Sequence, residues 1–181
     1  LAVASERETN TGRTIELGDL PFAYLLDVVP DQSPSGDLIV YEAHTRYDNP
    51  LGRTLLPSGR GPFCRFREPS LPHRAGVLLF TVDGVPAYLD NVSNLNQALN
   101  LRFGLIDPRQ CYEPGDEQAC KVNAEVLAAV RAGQVVSLWF RATPNARQAL
   151  VRALARHRQE RGADPLWNPR AFQTLSKDAE P

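Results

Sequence analysis

A chain of 181 residues, 43% of them hydrophobic, has the composition of one globular domain with a peripheral extension. No apolar run is long enough to cross a bilayer, and residues 1–10 lack the basic start and apolar centre of a secretory leader, so a soluble, cytoplasmic protein without a membrane partner is expected. A formal net charge of −1 excludes a globally basic nucleic-acid binder and leaves any phosphate contact to local patches.

In chain order, residues 1–12 are polar and read as a disordered tail. Phe22, Leu25, Leu26 and Val29 recur at helical spacing, which predicts a helix over 20–29 ended by Pro30. A turn is predicted at 31–36 and a strand at 38–43, whereas 49–71 is rich in Pro, Gly and Arg and carries no clear period. Residues 13–72 together form an N-terminal extension packed on the core that follows. From Gly76 the pattern sharpens: Val77, Leu78, Leu79, Phe80 and Val82 make a buried strand, and Asp83-Gly84 is a two-residue hairpin signal. The chain returns antiparallel over 85–89, and Asn91 or Ser93 caps a helix reaching about Leu101. A loop over 103–118 leads to a helix over 120–132, with Val122, Val126 and Val130 on one face and Gly133 after its end. A strand over 135–140 follows, and Thr143-Pro144 opens a last helix to about Arg161 whose inner face is Ala146, Ala149, Leu150, Ala153 and Leu154. The fold class is α+β, with helices around a three-stranded antiparallel sheet.

Cys64, Cys111 and Cys120 are an odd set in a chain without a leader, which argues for reduced, buried thiols. A zinc site from Cys64, His73, Cys111 and Cys120 is the weaker alternative, because the tight C-x2-C pairs of structural zinc are missing. His73 reads as a loop histidine and His157 as a surface one, and apart from possible metal binding neither has a partner pattern for acid–base work.

The order and spacing of several motifs resemble the GIY-YIG nuclease domain. They are Gly76-Val77-Leu78, Tyr88-Leu89-Asp90 and Ser93-Asn94-Leu95, flanked by Gly61-Pro62-Phe63-Cys64-Arg65-Phe66-Arg67, Pro108-Arg109-Gln110-Cys111-Tyr112, Cys120-Lys121-Val122-Asn123, Leu138-Trp139-Phe140 and Pro165-Leu166-Trp167-Asn168. The flanking motifs resemble a bacterial and archaeal branch of that family, and the likeness covers about residues 61–169. It implies a domain over 73–169, followed by a C-terminal tail over 170–181. Members cut phosphodiester bonds with tyrosines, an arginine and a glutamate-bound divalent metal; a hydroxyl positions water, a guanidinium stabilises the phosphate, and the metal neutralises the leaving oxygen. In this chain Tyr88 matches the second tyrosine and Asn168 the late asparagine. Leu78 stands at the first tyrosine, Asp90 at the glycine of the second tripeptide, Ala98 at the arginine and Ala128 at the metal glutamate. The expected cleft is therefore vestigial: Leu78, Tyr88, Asp90, Ala98, Ala128 and Asn168, with Arg102 and Glu125 as candidate substitutes one helical turn away.

The reading that follows is a catalytically degenerate GIY-YIG-like domain that binds DNA or a protein partner in repair or genome maintenance, with no cofactor. The alternatives are an active endonuclease using Mg2+ or Mn2+ at a rearranged site, and an assembly module that never meets nucleic acid. Candidate nucleic-acid contacts are Arg60, Arg65, Arg67 and Arg74, with Phe63 and Phe66 interleaved, and Arg147, Arg152 and Arg156 on the last helix. A solvated helix face and ordinary core packing are the alternatives for these groups.

Overall fold

The computed structural model describes residues 12–168, so the tails expected over 1–12 and 170–181 lie, apart from Gly12, outside the described residues. Its centre is a five-stranded antiparallel sheet in the order β1-β2-β7-β5-β6. The strands are β1 (Thr14–Leu17), β2 (Leu20–Asp27), β5 (Gly76–Val82), β6 (Val85–Val92) and β7 (Val136–Ala142). A separate short pair joins β3 (Val40–Tyr41) to β4 (Phe63–Cys64).

The α+β class expected from the sequence is present, but the sheet has five strands where three were expected. The N-terminal extension does not simply lean on the core; β2 hydrogen-bonds to β7 and extends the sheet. The predicted helix over 20–29 is this strand. Leu20 and Phe22 alternate with exposed Pro21 and Ala23, and a register shift between Tyr24 and Leu26 then reverses the buried side. Before the bulge the strand packs with Leu150 and Leu154; after it Leu25 and Leu26 pack on the opposite core. A strand that changes faces at a bulge places apolar residues three and four apart, which imitates a helix.

Around the Asp83-Gly84 turn the expectation holds: both residues have positive φ (50° and 80°), the requirement of a type I′ hairpin. Within β5, Gly76 admits no side chain, because a Cβ there would lie 2.2 Å from the Arg141 carbonyl oxygen and 2.5 Å from the Phe140 ring. The next helix is capped by Asn94, not Asn91 or Ser93; its side chain accepts from the Gln97 amide. That helix, α1 (Leu95–Gln97), widens at once into a π-helical turn over Ala98–Phe103. The expected loop holds a 3-10 turn at Pro108–Cys111, and α2 (Glu117–Arg131) starts earlier than expected because Asp116 caps it. The last helix, α3 (Ala146–Arg161), buries the inner face read from its sequence, although Asn145 occupies the cap position and Thr143 accepts from its amide.

Two layers cover the sheet. On one face α3 meets Val77, Leu79 and Leu89; on the other α2 and the π turn meet Leu78, Phe80 and Tyr88. Each buried leucine in these layers contributes about 1.5–3 kcal/mol of apolar transfer. The irregular segment between β3 and β5 is fixed to the second layer by buried Asn123 of α2. Asn123 accepts from the Cys64 amide (2.9 Å) and donates to the carbonyls of Cys64 (2.8 Å) and Phe103 (2.7 Å). No helix among the described residues is long and apolar enough to cross a membrane.

Candidate functional site

Strand geometry sets the site. Antiparallel pairing puts Leu78 opposite Asp90 and Phe80 opposite Tyr88, all on the face toward α2. Leu78 is fully buried and only fills core. Tyr88 is 2% exposed, its ring packed edge-on to Phe103, and its hydroxyl donates to Asp90 Oδ2 at 3.0 Å. Burial, reinforced by the neighbouring Asp90 carboxylate, pushes the Tyr88 hydroxyl well above the ordinary phenol range. A tyrosine so held is a donor, not a base.

Arg102 comes from the π turn and completes the cluster. Its Nη1 meets Asp90 Oδ2 at 2.6 Å, its Nε meets Asp116 Oδ2 at 2.6 Å, and its guanidinium lies 4.5 Å from the Phe103 ring centre. The other Asp116 oxygen accepts from the Ala119 amide as the cap of α2. The two carboxylates stabilise the protonated guanidinium and outweigh the opposing effect of burial. Tyr88, Asp90, Arg102 and Asp116 thus form one network whose only cation is shared between two anions.

Above it lies a cleft of about 410 Å³ lined by Asn91, Ser93, Asn94, Gln97, Ala98, Leu101, Arg102 and Gln110. Ala98 is at its wall, and the side chains that surround Arg102 are amides, a hydroxyl and aliphatic groups. A phosphate entering here would meet Asp90 and Asp116 already engaged with the one arginine.

The six positions expected to form one cleft do not share one cavity. Ala128 is exposed and lines a different cleft of about 320 Å³, with Pro86, Ala87, Glu125, Leu166 and Trp167. Of the two candidate substitutes, Arg102 therefore reaches the Tyr88 network and Glu125 lines the other cleft. Asn168 ties the segment after α3 to β6: its side chain accepts from the Leu89 amide (2.9 Å) and donates to the Leu89 carbonyl (2.7 Å), beside a bond from the Trp167 amide to the Ala87 carbonyl.

The zinc set is scattered. Cys64 sits against Asn123, His73 lies on the surface against Asn94, and the Cys111 and Cys120 thiols turn to the Asp107 and Gln110 carbonyls; among the described residues no three His, Cys, Asp or Glu groups converge as metal ligands. Phe63 and Phe66 are buried and cannot stack on bases. Arg65 pairs with Asp31 and Arg152 with Asp19, while the Arg156 stem packs over Gly18, so three of the candidate phosphate contacts are already engaged within the protein. Arg60, Arg67, Arg74 and Arg147 are exposed and make no ion pair with another described residue. His157, expected at the surface, is buried and bonds the Ala163 carbonyl at 2.8 Å.

Sequence reasoning missed Asp116. Its only local signal was an acidic residue before a helical run, which marks a cap; that it also faces Arg102 depends on the π turn. Compared with family models, curated proteins and solved structures, the chain has no match in any of the three.

Proposed function

We propose that this chain is a catalytically silent domain of GIY-YIG type, acting as a DNA-binding or interaction protein in repair or genome maintenance. The observation that carries the reading is the arginine held between Asp90 and Asp116. A nuclease needs that cation for phosphate and a carboxylate for its metal. Here the cation is neutralised, the neighbouring hydroxyl is a buried donor, and Glu125 opens onto another cleft. Phosphate contact falls instead to the exposed Arg60, Arg67 and Arg74.

Supercoiled plasmid incubated with Mg2+ or Mn2+ should stay intact. Metal-dependent nicking lost in Tyr88→Phe would establish the nuclease reading in its place. A labelled duplex titrated over a salt series should bind at low salt and release steeply, with Arg60→Ala/Arg67→Ala/Arg74→Ala flattening the slope. The assembly-module reading is favoured by one observation, the apolar cleft beside Ala128 with Val85 and Leu166 51% and 84% exposed. Absence of duplex binding at low salt would select it.

A further inference from the structure

β2 is an inner strand over only part of its length. Its pairing with β1 runs from Leu20↔Leu17 to Ala23↔Thr14 and ends where the Tyr24 amide donates to the Arg13 carbonyl. Pairing with β7 continues past that point to Asp27↔Ser137, and the Val28 amide still reaches the Val136 carbonyl at 2.7 Å. From the bulge at Leu25 onward, no strand among the described residues therefore lies on the side of β2 away from β7. Hydrogen-bonded and non-bonded pairs alternate along an antiparallel ladder, so with Val28 turned to β7 the Asp27 amide and carbonyl point outward. Unpaired backbone of this kind is a template for another extended segment. The free edge is one wall of a groove of about 740 Å³ whose other wall is Phe66, Arg67, Glu68 and Leu99. Leu25, Leu26, Phe66 and Leu99 make the lining apolar, while Asp27, Asp31 and Glu68 set three carboxylates on it against the guanidinium of Arg67. Pro30, which has no amide hydrogen, closes the edge at its far end.

We infer that this groove takes an extended segment of another protein, added as a strand to the free edge of β2, in which apolar residues alternate with lysine or arginine. Backbone bonds to Asp27 supply the pairing, apolar side chains on one face bury against Phe66 and Leu99, and the cationic ones meet the carboxylates. About 17 Å of extended chain, roughly five residues, covers the edge from Leu25 to Val29. The same charges disfavour the two other occupants of the edge. A second copy pairing edge to edge brings Asp27 and Asp31 against their own counterparts, and residues 1–11 carry Glu6 and Glu8 against one cation, Arg7. None of Tyr88, Asp90, Arg102 and Asp116 lines this groove, so peptide binding here stands or falls separately from the silent site.

The test screens the full chain against a displayed library of random ten-residue peptides and then uses synthetic copies of the selected sequences. Peptides alternating Lys or Arg with Val, Ile, Leu or Phe should be enriched over the unselected library. At saturation, hydrogen exchange followed by NMR should slow at least ~10-fold at the Asp27 amide, with the already bonded Val28 amide as the internal reference. N-methylation of alternate peptide residues should weaken binding at least ~10-fold in one of its two phases, because that phase removes the bonding amides. Asp27→Asn keeps an acceptor for the Ser137 hydroxyl and should weaken binding roughly 3-fold, more at low salt than at high. No enrichment, enrichment of acidic peptides, unchanged Asp27 exchange at saturation, or binding that survives both N-methylated phases would overturn the proposal. So would an Asp27 amide protected without peptide: in a monomer it assigns the edge to the chain's own segment, and in a concentration-dependent dimer to a second copy.

Discussion

Replacing Asn123 by alanine tests the claim that one buried amide fixes the second layer. Asn123 is fully buried and makes three hydrogen bonds, to the Cys64 amide, the Cys64 carbonyl and the Phe103 carbonyl. Alanine orphans all three partners inside the core, and each unpaired buried group costs roughly 1–3 kcal/mol. The three share one side chain, so their costs do not add fully, and a loss of about 3 kcal/mol is expected. For a chain of this size that is about 6–12 °C in Tm. Urea unfolding followed by tryptophan fluorescence gives the free energy, because Trp139 and Trp167 are both buried. Asn123→Asp adds a second signature. The carboxyl would be buried beside two carbonyl oxygens, so its folded pKa would rise above the unfolded value near 4. Its stability would then be greatest below that value and would fall as pH rises through the folded pKa. Asn123→Ala has no such pH term. A loss under about 1 kcal/mol for Asn123→Ala would refute the reasoning, since it would mean the segment around Cys64 holds without this bridge.

Further outcomes follow from other contacts. Cys64 and Tyr88 have folded pKa values raised above their ordinary 9.0 and 10.0, so each adds stability below that value that is lost as pH rises above it. Stability measured against pH should therefore begin to fall near 9, and Cys64→Ala should make that fall shallower without moving its onset, because the Cys120 thiol is also raised from 9.0 by its neighbour Cys111 and by burial. Tyr88→Phe should remove a further part of the alkaline loss while leaving Asp90 paired with Arg102. Asn168→Ala should release two bonds to Leu89, destabilise by about 1–3 kcal/mol, and speed hydrogen exchange at the Leu89 amide. Gly76→Ala should destabilise by about 1–3 kcal/mol, where the same change at an open strand position would stabilise, because the new methyl meets the Arg141 carbonyl and the Phe140 ring; thermal unfolding would report it.

By itself the sequence determined the elements from residue 76 onward. The Asp83-Gly84 turn, the alternation of β5 and β6, and the apolar stripe of α3 are local signals with local causes, and the α+β class follows from them. Only the tertiary structure decided the rest. The bulge in β2 switches its buried face between two cores, so no single period could describe it, and pairing with β7 across more than a hundred residues is what makes it a strand. Equally, Arg102 and Asp116 meet because a π turn rotates one toward the cap of the helix that carries the other. Spacing along the chain placed Arg102 and Glu125 as equivalent candidates. The packing of their helices put one against Asp90 and the other in a separate cleft, because direction in space depends on the element each side chain leaves from.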